Sequence, residues 1–340
     1  MSSSLGLTIE PTTGLFPRIT RYPVDFSQPE TQIRMLRNKP KYGLFSEAIA
    51  QAVRGRRVLD IGTGSGILAM LAVAHGAKKV VAVDREPIMA MTRAVLGSYQ
   101  KAAFIELREG DVFDLGDGNE KFDVIISETI GYLGFEENIA PILSCARHRF
   151  GNSETVVIPS DMAVMLEPVH TGPKGKDHSP FLTLARSPTQ SFERIEMSKP
   201  VTLGLPISPT MRIFDTWSAR TATKVDSVAV HFAAGLPGAA RITNKDNPNW
   251  PHCVVPLPNP AQVNAGGRVT CTLRLDPSDG ESYEVATVFE CADGTRIETG
   301  RFESTAIRTD LLLPAPKDIG AVVQEVELLL RSLDLFEQLV

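Results

Sequence analysis

The sequence predicts an α/β domain built on a parallel sheet, followed by an antiparallel β domain of barrel or sandwich type. Three observations predict it. From Arg57 to about Ser160, short apolar runs alternate with helical stretches, the pattern of a parallel sheet covered by helices. A glycine-rich turn, Gly62-Thr63-Gly64-Ser65-Gly66, joins the first of those runs to the helix after it. After Val156-Val157-Ile158-Pro159 the helical periodicity fades, and β-type runs appear between Pro, Gly and Asn turns.

Taken in order, residues 1–30 are rich in Thr, Ser and Pro without periodicity and read as a flexible arm. Residues 31–53 read as helical, with Ile33, Leu36, Leu44, Ala48, Ile49 and Val53 as the apolar positions, and Pro40 is expected to separate two short helices. Val58-Leu59-Asp60-Ile61 is a short strand, and Ile67 to His75 is a helix stopping at Gly76. Val80 to Val83 is a second strand ending in Asp84, and Pro87 opens a helix that runs to about Leu96. Phe104 to Leu107 and Val124 to Ile126 supply further strands, which places a ligand-binding domain at 31–160. Four runs (Val225–Phe232, His252–Leu257, Arg268–Leu275, Tyr283–Phe289) mark a β-rich domain at 161–315. Residues 171–200 fit neither pattern and read as an inserted arm. The tail at 316–340 carries an amphipathic helix from Asp318 to Leu335, expected to serve packing.

At 340 residues the chain can hold two sizeable cores. Its net charge of −5, with only short basic clusters at 54–57, 78–79 and 147–149, argues against a nucleic-acid binder. Cys145, Cys253, Cys271 and Cys291 lie far apart with no Cys-x-x-Cys pair, which argues against a zinc site or disulfide framework and fits a reducing compartment. The first residues lack a basic region followed by an apolar core, and no apolar run reaches the roughly 18 residues of a membrane span. A cytoplasmic location without a membrane partner is expected.

The turn at 62–66 follows a strand and opens a helix, where glycines admit a close ligand and the helix start offers N–H groups. Asp84, ending the next strand, is placed to accept both hydroxyls of a ribose. Asp111 follows the third strand, where its carboxylate suits an adenine amino group and the Val112 backbone suits a ring nitrogen. A dinucleotide fingerprint would need a glycine at position 67, which is Ile67. The second site begins where an apolar strand ends at Ser127-Glu128. The chain then turns through Gly131 and returns Glu137 at a helix start. Two carboxylates so placed make an anionic clamp, and a guanidinium is its best geometric match.

Asp60, Gly62, Gly64 and Gly66 resemble motif I of the class I methyltransferases, whose Rossmann-like domain binds S-adenosylmethionine, with Asp60 helping to orient its methionine end. With Ser127, Glu128, Gly131, Tyr132 and Glu137 added, the chain resembles the protein arginine methyltransferases, whose double-glutamate loop has this spacing. The resemblance covers 33–160 well, through the exit at Val157-Ile158-Pro159, and the rest in outline. It implies that Met35 of Met35-Leu36 lies near the reacting centre. Lys41 stands where the family has an arginine that holds the cofactor carboxylate. Asn249 and Trp250 fall where the family has Thr-His-Trp beneath the substrate pocket, so the histidine is replaced, with His252 nearby. The family's Tyr-Phe-x-x-Tyr helix is not evident, and Thr129 and Ile130 replace an aromatic residue and methionine.

The resemblance therefore implies methyl transfer to a guanidinium nitrogen, with S-adenosylhomocysteine as the second product and Glu128 and Glu137 as the catalytic pair. The altered pocket edges favour free L-arginine or another small guanidino compound, with protein arginine as the alternative. Other readings are an O- or C-methyltransferase using the glutamates as acid and base, and a cofactor-binding scaffold without turnover. A homodimer is expected from the family's arm.

Overall fold

The computed structural model of the chain describes residues 9–10, 18–19, 26, 28–84, 88–116, 119–131, 133–135, 137–171, 191–206, 211–244, 253–275, 282–290, 296–305 and 319–340. Most of the predicted N-terminal arm and residues 172–190 of the second arm lie outside them. Within the first 30 residues the described parts include a small antiparallel pair, β1 (Ile9–Glu10) and β2 (Arg18–Ile19), and the start of helix α1.

Helix α1 spans Pro29–Leu36 and α2 spans Lys39–Ala52. The break between them falls at Arg37 and Asn38 rather than at Pro40. Asn38 caps α2, its side-chain oxygen accepting from the Lys41 N–H at 3.4 Å. Pro40 sits in the first turn, where its missing N–H removes no helical hydrogen bond.

Strands β3 (Arg57–Ile61), β4 (Lys79–Asp84), β5 (Ile105–Glu109), β6 (Val124–Ser127) and β7 (Val156–Ile158) form a wholly parallel sheet in the order β5-β4-β3-β6-β7. Helices α3 (Ile67–Ala74), α4 (Met89–Leu96) and α5 (Ile139–Phe150) lie between them in the chain. Val58, Leu59, Val80, Val81, Ile125 and Ile126 are buried, as expected of strands covered on both faces. From β3 the chain steps outward through β4 to β5, then returns to the other side of β3 with β6. The carboxyl ends of β3 and β6 therefore flank the point where strand order reverses, where open α/β sheets bind ligands.

The remaining strands are β8 (Asp161–Val169), β9 (Phe192–Met197), β10 (Val201–Thr202), β11 (Met211–Ala219), β12 (Thr223–Gly235), β13 (Ile242–Thr243), β14 (Cys253–Val263), β15 (Arg268–Leu275), β16 (Ser282–Glu290) and β17 (Arg296–Thr305). They make two antiparallel sheets, β10-β8-β12-β13 with β14 also on β12, and β17-β16-β15-β11-β9. Four strands were read from the sequence here. Strands β8 and β11 went unread because each carries buried polar residues, Glu167 and Asp215, that interrupt an apolar run. Strand β9 falls inside the segment taken for an arm and pairs with β11 along its length. The sheets are joined by side chains at one residue of β8: the Leu166 N–H donates to Asp215 Oδ2 at 2.7 Å, and Trp217 Nε1 donates to the Leu166 carbonyl at 2.7 Å.

Helix α6 (Ile319–Ser332) buries Val322, Val326, Leu329 and Leu330. It returns to the first domain, packing on α1 and α4. Glu325 meets Arg37 just past α1 at 3.4 Å, and the Lys101 N–H donates to the Leu339 carbonyl.

Candidate active site

At the end of β3 the chain turns through Gly62 and Gly64 with φ of +70° and +54°. A Cβ on Gly62 would lie 2.9 Å from Thr129, and one on Gly64 would lie 3.0 Å from Gln32 Oε1. Both are therefore required by close approach as well as by backbone conformation. The Gly64 N–H donates to Asp84 Oδ2 at 2.9 Å, and the Ser65 N–H donates to Gln32 Oε1 at 3.2 Å. These amides were expected to face a ligand, and the structure engages them with side chains instead. Gln32 also donates from Nε2 to the Phe26 carbonyl at 2.9 Å, so α1 is tied across the glycine turn.

Asp60 lies beneath the turn, fully buried, accepting from Thr63 Oγ1 at 2.7 Å. Its Oδ1 has no hydrogen-bond partner among the described residues. Burial pushes its carboxyl up to about 7, against the Thr63 hydrogen bond and with a contribution from Asp84. Gly66 starts α3 and faces Thr92 and Leu96 of α4. Asp60 and Gly66 thus support the turn and do not line the pocket above it.

That pocket holds about 1020 Å³ of empty space including its open mouth. Met35, Gly62, Gly64, Asp84, Asp111, Val112, Glu128 and Glu137 line it, so eight of the residues singled out in the sequence meet in one place. Asp111 also accepts the Phe113 N–H on Oδ1 at 3.0 Å, which tightens the turn after β5. Tyr132, Asn249, Trp250 and His252 lie outside the described residues.

Glu128 follows β6, whose last residue, Ser127, donates from Oγ to the Ile61 carbonyl at 2.8 Å and ties the two strand ends together. Lys41 Nζ donates to Glu128 Oε2 at 2.8 Å, with side-chain exposures of 4% and 11%. Burial pulls the Lys41 ammonium down, but the Glu128 charge, Tyr42 and the hydrogen bonds to both together outweigh it, and the net shift is upward. Burial likewise raises the Glu128 carboxyl, and Lys41 opposes that rise. Lys41, expected to hold a cofactor carboxylate, is thus engaged as the counter-ion of Glu128 and is absent from the pocket lining. Glu137 precedes Asn138, which adopts the left-handed region at φ 64° as the residue before α5. Asparagine tolerates that conformation better than most residues.

Sequence reading missed Gln32, Tyr42, Thr63 and Asn138 in the lining. Asn138 carried a signal, an asparagine immediately before a helix. A glutamine inside a helix carried none.

The glycine cradle and a carboxylate at the end of the adjacent strand fit a nucleoside ligand. Beside it, two carboxylates, one already counter-charged, suit a planar cation. Among the described residues no group of three or more His, Cys, Asp or Glu is placed to hold a metal ion, and no helix is long and apolar enough to cross a membrane.

Comparison with known proteins agrees with this geometry. Residues 46–131 match the family model described as ribosomal protein L11 methyltransferase (PrmA). Protein arginine N-methyltransferase PRMT10 of Oryza sativa subsp. japonica is 34% identical over 143 residues, covering 41% of this chain and 37% of that protein. The ribosomal protein arginine N-methyltransferase rmt3 of Schizosaccharomyces pombe is 39% identical over 115 residues, covering 33% and 21%. The chain therefore spans well under half the length of these curated relatives. In fold it is similar to Arabidopsis thaliana protein arginine methyltransferase 10 in an open conformation, with a TM-score of 0.66 at 20% identity over 84% of this chain and 99% of that one. It is also similar to the Trypanosoma brucei PRMT1 enzyme-prozyme heterotetrameric complex with AdoHcy, with a TM-score of 0.67 at 18% identity over 83% and 100%.

Proposed function

From this kinship with the protein arginine N-methyltransferases, we propose that the chain is an S-adenosylmethionine-dependent arginine N-methyltransferase. The observation that carries the reading is the convergence of Glu128 and Glu137 on the pocket bounded by Gly62, Gly64 and Asp84. Met35, Asp84, Asp111 and Val112 are the residues that would hold the cofactor, and bound there it supplies a transferable methyl on a sulfonium.

The chain's own residues handle the other cation. A guanidinium is a poor nucleophile because its lone pairs are delocalised, and a positive pocket would repel it. Glu128 and Glu137 neutralise that repulsion and orient the planar group by forked hydrogen bonds. Lys41 opposes the upward shift that burial imposes on Glu128, and so favours the ionised form that the clamp needs. No strong base is required beforehand, because the proton can leave once the nitrogen is alkylated.

The sequence alone leaned toward a free guanidino substrate. The relatives' names, protein arginine and ribosomal protein arginine N-methyltransferase, support the protein-bound alternative better. We therefore favour arginine in a protein or peptide, and propose a homodimer located in the cytoplasm. Incubation with labelled cofactor and either an arginine-rich peptide or L-arginine tests the substrate, with label expected in the peptide. Glu128→Gln and Glu137→Gln should each lower turnover by roughly a hundred-fold to several thousand-fold, about 3–5 kcal/mol, with cofactor affinity within a few-fold of wild type. Full turnover in both variants would remove the clamp from the mechanism.

A further inference from the structure

One guanidinium outside the pocket gathers an unusual set of acceptors. Arg149, in the last turn of α5, donates from NH1 to the carbonyls of Val112 (2.9 Å) and Phe113 (2.5 Å). From NH2 it donates to the carbonyls of Leu115 and Gly116. Carbonyls pointing at a common centre repel one another, so a cation with forked donors at that centre stabilises this shape of the turn after β5. On its other side that turn presents Gly110, Asp111, Val112 and Phe113 to the pocket. Its inner bonds complete the shape: the N–H groups of Asp114 and Leu115 both donate to the Asp111 carbonyl, at 2.9 and 3.0 Å.

We propose that Arg149 is the positioning residue for base recognition, shaping the 111–116 turn so that Asp111 and the Val112 backbone meet the amino-purine edge of the bound nucleoside. The inference rests on the cofactor reading and deepens it. Arg149 does not line the pocket, so it acts through the turn and not on the ligand. A lysine there keeps the charge but loses the planar fork, and its three donors cannot serve four carbonyls one each.

The test compares S-adenosylhomocysteine with its inosine analogue, which lacks the amino group, by calorimetry on wild type and Arg149→Lys. Wild type should prefer the adenine compound by about tenfold or more, the worth of a hydrogen bond left unmade at a buried group. The variant should lose most of that preference, chiefly by weaker binding of the adenine compound, while kcat at saturating cofactor stays near wild type. A variant that weakens both ligands equally, or neither, with wild-type preference intact, overturns the role of Arg149 and leaves the cofactor reading standing. Wild type that binds neither ligand overturns both.

Discussion

Lys41 and Glu128 set the most sensitive balance in the molecule. A buried ion pair is costly to break from one side, because the partner is left charged without solvent. Burial raises the Glu128 carboxyl and Lys41 holds it back, so removing the ammonium must let the carboxyl rise further. Lys41→Met should therefore move the acidic limb of the kcat/KM profile to higher pH. On the acid side of the displaced limb activity should fall about tenfold for each unit of that displacement, and it should recover as pH increases. A limb that stays in place, or moves to lower pH, would mean that Lys41 does not set the protonation of Glu128. The two glutamates were legible as residues because nine positions, a turn glycine and a preceding strand all point one way. Their counter-ion was not, since Lys41 lies 87 residues upstream on α2 and only the packed fold brings the two within 2.8 Å.

At the scale of elements, the parallel sheet was readable because strands buried on both faces are written as unbroken apolar runs. The β domain was read incompletely for the opposite reason. Asp215 and Glu167 sit in its interior, and Asp215 accepts the Leu166 N–H of β8. No local pattern announces such a bond. The tail helix was legible as amphipathic, but not what it covers. Leu329 of α6 is 1% exposed, and α6 rests on α1, which carries Gln32 and Met35 into the pocket wall. Leu329→Ala should cost about 2–5 kcal/mol, read as a lower midpoint in urea, and should weaken S-adenosylhomocysteine binding in the same preparation. A loss of stability with unchanged binding would separate α6 from the pocket.

For the molecule as a whole, two buried carboxyls bias stability toward acid. Burial pushes Asp215 up to about 6, opposed by the Leu166 amide and Arg194, and Asp60 up to about 7. An acid raised in the fold favours its neutral form there. Its contribution is complete below the unfolded value near 4, declines as pH rises to the folded value, and is constant above it. Asp215→Asn keeps an acceptor for the Leu166 N–H and removes the titration. Its melting temperature, relative to wild type, should rise between about pH 4 and pH 6 and then level off; a flat difference would show that Asp215 stays ionised throughout. The contact of α6 with α1 and α4 also bears on how the chain is made. A ribosome releases the early helices first, and the helix that covers them emerges last. At about 5–20 residues per second, the apolar flanks of α1 and α4 wait on the order of ten to sixty seconds for their cover. During that interval the nascent chain carries an exposed greasy surface, which makes it a natural client for a chaperone until synthesis reaches α6.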